Sequence, residues 1–324
     1  MKRFLSALSV TALLLLVCVS CDTQKPATRT FTALDTVCTL SLYDSRDGAL
    51  LDACVQLVQE DEARWSRTVA SSEIACLNAA NGNPLTVSDD TYALLSYACE
   101  MARQTDGAFD VTTAPLTDLW KAAEKQDILP DVEELAKACS AVGTDKVMFG
   151  ENNEVSLADG TSVDVGGIAK GVIADRVAAH MRENGCESAL INLGGNVVAL
   201  GGKPNGEPFF VGIGDPQNTE EIIATVTVRD SAVVTSGSYE RGYMIRDAWF
   251  SHILHPQTGL PVSNDLLSVT ILAPTAAQAD ALSTACFVMG YDRAQAFLTA
   301  CEEVEAVFVK SDGTVTATDG VTFA

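Results

Sequence analysis

A run of Asp164-Val165-Gly166-Gly167-Ile168-Ala169-Lys170-Gly171 feeds a strand into glycines and then into a helix. A helix start of this kind presents backbone N–H groups and the positive end of the helix dipole, which suits a phosphate. Lys170, near the first turn, adds a point charge suited to a diphosphate. The spacing is neither that of a P-loop nor that of the dinucleotide fingerprint. Taken alone, a tight strand-to-helix turn packed on a sheet is the commoner explanation.

A second run, Ala279-Asp280-Ala281-Leu282-Ser283-Thr284, opens an otherwise apolar helix. Asp280 and Thr284 are four residues apart, so their oxygens share a face, with Ser283 beside them. Carboxylate and hydroxyl oxygens are hard ligands that suit Mg²⁺ and not zinc. The alternative is structural: Asp280 caps the helix, and the hydroxyls bond back to carbonyls. A third block joins Thr235-Ser236-Gly237-Ser238-Tyr239-Glu240-Arg241 to Ser251-His252-Ile253-Leu254-His255-Pro256-Gln257-Thr258-Gly259. It holds two of the three histidines in the chain. His252 has the chemistry of a general base near neutral pH, although a lone loop histidine is more often structural. A fourth, Thr105-Asp106-Gly107-Ala108-Phe109-Asp110-Val111-Thr112 followed by Pro115-Leu116 and Leu119-Trp120, either lines a pocket for a flat ring or feeds a core aromatic.

The elements that must position these groups follow from periodicity. Residues 31–43 alternate as a strand, and 47–65 and 88–103 carry helical apolar spacing, the latter capped at Ser88. Pro130-Asp131 opens a helix ending near 143. Residues 154–157 and 161–165 read as a hairpin around Ala158-Asp159-Gly160. A helix runs from the Gly166-Gly167 turn to about Asn184, where Gly185 stops it. Strands are expected at 187–193, 208–213, 222–229, 231–235, 267–273, 304–309 and 314–318, with helices at 275–289 and 292–300. Strands and helices mix without strict alternation, which makes the fold α+β, with mixed sheets and packed helices.

The ends and the composition set the address. Lys2, Arg3 and an apolar core over residues 5–17 form a segment too short to span a bilayer, which takes about 20 apolar residues; it reads as a signal peptide. Val19-Ser20-Cys21 resembles a lipobox, so residues 1–20 are expected to be a lipoprotein signal and 21–30 a lipidated Cys21 with a polar tether. Residues 31–324 then form the working domain, long enough to bury a core. The formal net charge of −22 argues against a nucleic-acid partner. It also requires any anionic ligand to be held by local positive features or a metal. Of ten cysteines, eight remain in the mature chain, and those at Cys54, Cys99 and Cys286 sit in apolar runs as small hydrophobes.

Each block is ambiguous alone, but their order resembles the ApbE family, the FAD:protein FMN transferases. To the blocks above the resemblance adds Ser72-Glu73-Ile74 with Leu77-Asn78, and Ile191-Asn192-Leu193-Gly194-Gly195-Asn196. It spans roughly residues 31–310 and implies an ApbE-like, T-fold-related architecture. It places Leu34, Thr68, Ala108, Phe109, Asp110, Asp164, Lys170 and Ile253 around FAD, with Lys170 on the diphosphate. It puts the Gly167 carbonyl with Asp280, Ser283 and Thr284 around Mg²⁺.

The implied activity is Mg²⁺-dependent transfer of the FMN half of FAD to a Thr or Ser hydroxyl of an acceptor protein, releasing AMP. His252 and Lys170 would be catalytic. Two alternatives stay open: an FAD pyrophosphatase giving FMN and AMP, and a non-catalytic FAD-binding lipoprotein. The implied partner is an acceptor subunit of an exported or membrane redox complex. The implied location is the extracytoplasmic face of the cell membrane, lipid-anchored through Cys21. Five positions depart from the family pattern. Leu34-Asp35-Thr36 replaces Met-Gly-Thr, Thr68 replaces a Tyr, Ser251-His252 replaces a His pair, and His255 replaces the Asp before Pro.

Overall fold

The computed structural model describes residues 25–239 and 241–324. The expected signal segment, Cys21 and the first residues of the tether, up to residue 24, lie outside the described residues. In chain order the elements are β1 (Ala27–Ala33), β2 (Thr36–Leu42), α1 (Gly48–Trp65), α2 (Glu73–Ala79), β3 (Leu85–Thr86), α3 (Asp89–Gln104), α4 (Ala114–Gln126) and α5 (Val132–Ser140). There follow β4 (Val147–Phe149), β5 (Glu154–Leu157), α6 (Ala169–Glu183), β6 (Ala189–Leu193), β7 (Asn196–Leu200), β8 (Phe209–Asp215), β9 (Asn218–Val228) and β10 (Ser231–Gly237). The chain closes with β11 (Gly242–Ile245), β12 (Ala248–Ser251), β13 (Leu266–Ala273), α7 (Ala276–Met289), α8 (Tyr291–Leu298), β14 (Glu305–Lys310) and β15 (Val315–Ala317).

Eight strands form one antiparallel sheet in the order β1-β2-β6-β7-β10-β13-β14-β15. Alternation decides its faces. In β2, Cys38, Leu40 and Leu42 are fully buried while Val37 is exposed. In the central strands both faces are covered, so β13 is buried along nearly its whole length and β10 is buried on both faces over Ala232-Val233-Val234. Ala232, Val234, Val269 and Ile271 point to the helices. Val233 and Leu272 point to the β8–β9 hairpin, whose Phe209, Val211 and Val226 close the opposite face. α7 buries Ala279, Leu282, Cys286 and Phe287 among others, because it packs between the sheet and α6.

The two functional runs meet where α6 crosses α7. An added Cβ at Gly171 would stand 2.3 Å from the Ala276 carbonyl oxygen and 2.7 Å from the Ala277 Cα. Only a residue without a side chain permits that approach. Across the crossing, the Asp175 carboxylate accepts from Ala276 N (2.8 Å) and Ala277 N (2.9 Å), satisfying two orphan donors of α7. In return, Asp280 Oδ2 of α7 accepts from Gly171 N (2.9 Å). The helices cap each other.

Three expectations need correction. β1 begins at Ala27, inside the stretch read as tether, and pairs in full with β2. Its Thr and Arg side chains give an edge strand little apolar signal. The 154–165 hairpin does not form: β5 pairs with β4 and β3, and residues 161–165 lie outside any ladder. The Asn78 side chain of α2 bonds this stretch instead, accepting from Val163 N (2.7 Å) and donating to Val163 O (2.9 Å). α2, α4, β7 and the β11–β12 hairpin are additional to the expected elements. Of the eight cysteines described, Cys38, Cys54, Cys99, Cys186 and Cys286 are buried, while Cys76 is exposed. No helix among the described residues is long and apolar enough to cross a membrane.

Substituting Gly171→Ala forces two packed helix ends apart and should cost about 2 kcal/mol. Thermal unfolding should show Tm lowered by about 5 °C. An unchanged Tm would mean that the crossing has slack which this packing denies.

Candidate functional site

A cavity of about 760 Å³ opens at the α6–α7 crossing. It gathers every site residue expected from the sequence except Ser283, from six separate segments. The β1–β2 turn contributes Leu34, the link after α1 contributes Thr68, and the α3–α4 link contributes Ala108, Phe109 and Asp110. The lead into α6 brings Asp164, Gly167 and Lys170; the stretch after β12 brings His252 and Ile253; α7 brings Asp280 and Thr284. Ser283 lies behind the wall, fully buried. Its hydroxyl donates to the Asp280 carbonyl (2.9 Å) and pairs with Ser236 Oγ (2.8 Å). The side chain expected as a metal ligand is therefore engaged as a helix back-bond, because its Cβ vector faces the sheet.

The turn before α6 is less open than expected. Gly166 N donates to Asp164 Oδ1 (2.9 Å), Ala169 N to Val165 O (2.8 Å) and Gly171 N to Asp280. Most of the N–H cradle is thus used internally. Lys170 and the dipole of α6 remain as its positive features, and Lys170 forms no salt bridge among the described residues. Asp164 is also held by Arg67 (3.2 Å), which chelates Asp118 at 2.7 and 2.8 Å. Arg67 lines the cavity, and nothing in its sequence context marked it.

Asp280 is 4% exposed and caps nothing in its own helix, whose cap is Thr275. Burial pushes its pKa above the usual carboxylate value, while Lys170, the Gly171 N–H and Asn196 pull it back. Its neighbours include Thr284, whose Oγ1 is 3.3 Å from Ser236 Oγ, and Gly167, where an added Cβ would stand 3.7 Å from the same Thr284 oxygen and 3.3 Å from the Phe109 ring. Carboxylate and hydroxyl beside the Gly167 backbone form an all-oxygen donor set, and no group of three His, Cys, Asp or Glu that could hold a metal occurs among the described residues. That chemistry fits a hard cation sharing its shell with a ligand's phosphates and water. Asn196 supports the fit. At 1% exposure it stands beside Asp280, yet neither amide atom makes a hydrogen bond of acceptable geometry. A buried amide in that state has hydrogen-bonding capacity left over, which water around a cation at Asp280 would take up.

His252 Nδ1 lies 2.9 Å from the Arg241 carbonyl oxygen. A carbonyl only accepts, so Nδ1 carries the proton and Nε2 is the basic nitrogen. Burial depresses the His252 pKa below its ordinary 6.5, against that hydrogen bond, and the charges of Arg241 and Lys170 add to the depression. The ring is a neutral base at pH 7. His255, where the family has Asp, accepts from Gln257 N through Nδ1 (3.2 Å) and so does the turn-forming work of an Asx side chain. Tyr243 completes the wall; it is 4% exposed, and its ring stacks at 6.0 Å on Trp120. Trp120 donates to the Gly259 carbonyl (2.8 Å).

Residues 34–308 match the ApbE family. The chain is 34% identical over 335 residues to an FAD:protein FMN transferase of Treponema pallidum, covering 94% of this chain and 92% of that one. It is 34% identical over 274 residues to one of Klebsiella pneumoniae, covering 83% and 84%. Among solved structures, the ApbE protein of Thermotoga maritima superposes with a TM-score of 0.84 at 30% identity, covering 91% of this chain and 97% of that one. The flavinyl transferase ApbE of Pseudomonas stutzeri does so with 0.80 at 26% identity, covering 91% and 95%.

An NMR titration of the three histidines should find His252 titrating below 6.5, with Nδ1–H as the neutral tautomer. An ordinary pKa with the Nε2–H tautomer would remove it as a base.

Proposed function

The chain belongs to the ApbE family, and from that premise we propose that it is an FAD:protein FMN transferase acting with Mg²⁺ on a Thr or Ser hydroxyl of an acceptor protein. The observation that carries this reading is the meeting, in one cavity, of Lys170, the buried Asp280 and a neutral His252.

Asp280, Thr284 and the Gly167 carbonyl are the groups that would hold the cation. Bound there, Mg²⁺ supplies charge neutralisation to the diphosphate. Lys170 binds the diphosphate from the first turn of α6 and stabilises charge that grows on the departing phosphate. Phe109 and Leu34, both lining the cavity, give the flavin apolar surface. His252 Nε2 takes the proton from the acceptor hydroxyl as its oxygen bonds to the FMN phosphorus. The bond from that phosphorus to the bridging oxygen breaks, and AMP leaves with the bonding electrons. The product is a phosphoester of FMN on the acceptor, with one AMP released per transfer.

The address belongs to the same proposal. The leader and Cys21 support an exported, lipid-anchored protein on the extracytoplasmic face. Its acceptor is then a subunit of an exported or membrane redox complex. For an acidic protein handling a polyanion, the cation is a requirement of charge balance as well as of chemistry.

The test follows acceptor mass and AMP together, using FAD, Mg²⁺ and an acceptor protein carrying a flavin-attachment Thr. The acceptor should gain one FMN, with equal AMP, and chelation should stop both. Asp280→Ala should lower the rate by about 10²-fold or more. Free FMN and AMP with no acceptor gain would favour the pyrophosphatase. FAD bound but never cleaved would favour the binding lipoprotein.

A further inference from the structure

The lip of the cavity formed by Leu34 and Asp35 is a strained turn. Ala33 and Thr36 pair across the β1–β2 hairpin, and both residues between them have φ of +55°. Two left-handed residues in a two-residue loop make a type I′ turn, which favours Asn or Asp first and Gly second. This chain places Leu first and Asp second. Asp tolerates the left-handed region, but Leu adopts it rarely. Such a conformation persists only where surrounding groups hold it.

The holding group is Glu62, in the last turn of α1. Its Oε1 accepts from Leu34 N at 2.7 Å, a short, charge-assisted bond to an N–H that the hairpin ladder does not use. On the other side, Arg241 Nη2 donates to the Asp35 carbonyl at 3.3 Å. Leu34, Asp35, Thr36 and Glu62 all line the cavity. A carboxylate facing a cavity for a dinucleotide diphosphate is electrostatically unfavourable, so its presence calls for a role that offsets this. Glu62 forms no salt bridge among the described residues, and the Leu34 N–H is the hydrogen-bond donor it receives.

We propose that Glu62 is a positioning residue for flavin binding: it holds the Leu34-Asp35 turn left-handed, doing by hydrogen bond what a glycine at position 35 would do by lacking a side chain. The proposal rests on the reading of this cavity as the FAD site. It also explains the departure from Met-Gly-Thr at 34–36, since the position demands positive φ and the chain meets that demand from a neighbouring helix.

The experiment measures FAD affinity by titration calorimetry with Mg²⁺ for the wild type, Glu62→Ala and Glu62→Gln, and for Glu62→Ala combined with Asp35→Gly or Asp35→Asn. Glu62→Ala should raise the FAD Kd about tenfold, the size of one charge-assisted hydrogen bond. Glu62→Gln, which keeps an acceptor oxygen, should stay within about threefold of wild type. Asp35→Gly should restore most of the affinity lost in Glu62→Ala. Asp35→Asn, which removes the same charge but keeps a side chain on the left-handed residue, should restore clearly less. An unchanged Kd in Glu62→Ala overturns the proposal, as does equal rescue by Asn and Gly, which would make the effect one of charge. A thermal melt of Glu62→Ala identifies a variant that lost binding by unfolding; in that case the intact Glu62→Gln and Asp35→Gly backgrounds decide. Failure of the wild type itself to bind FAD would instead overturn the flavin reading.

Discussion

The site depends on how closely α6 can approach α7. Gly171 allows the two helix starts to touch backbone to backbone, with 2.3 Å between its absent Cβ and the Ala276 oxygen. Once they touch, each helix satisfies the other's orphan N–H groups: Asp175 serves α7, and Asp280 serves α6. Asp280 is therefore both the hinge-pin of the crossing and the carboxylate of the candidate metal set. A side chain buried for packing reasons is placed where its second oxygen is available for chemistry.

Charge management follows from that arrangement. The chain carries a net charge of −22, yet the cavity is read as the site of an anionic dinucleotide. Acidic groups around it are accordingly engaged. Asp164 and Asp118 share Arg67, and Asp61 and Asp90 share Arg64 and Arg176 around Trp65. That four-membered cluster joins α1, α3 and α6, so its value lies in fixing the wall more than in net stability. Among the described residues Lys170 is left without a salt bridge, and His252 is kept neutral by burial and by its cationic neighbours.

Much of this was legible in the sequence. The helices at 47–65, 88–103 and 169–184 and the central strands announced themselves through period and caps. The block order brought twelve of the thirteen expected site residues to one cavity. What stayed hidden is tertiary. Ser283 and Thr284 are adjacent and chemically alike, and only the direction of α7 against β10 tells which hydroxyl faces the cavity. Gly171 reads as one more glycine of a loop, since the sequence does not reveal the Ala276 carbonyl opposite. Asn78 replaces a strand partner over residues 161–165 by side-chain bonding, which erases an expected hairpin. Arg67 and Glu62 act through partners between 28 and 97 residues away, a separation at which spacing carries no information. The substitutions at 35 and 255 read as losses in sequence but are compensated in structure, by Glu62 and by the His255 ring.

The central claim is that Asp280, at the α6–α7 crossing, holds a cation against the diphosphate of a flavin nucleotide. A crystal structure with FAD and Mn²⁺, the metal located by anomalous scattering, tests it most directly. The account requires one Mn²⁺ peak ligated by Asp280, Thr284 and the Gly167 carbonyl, with the diphosphate completing its shell beside Lys170. A metal peak elsewhere, or FAD bound with its diphosphate away from Asp280, would contradict it.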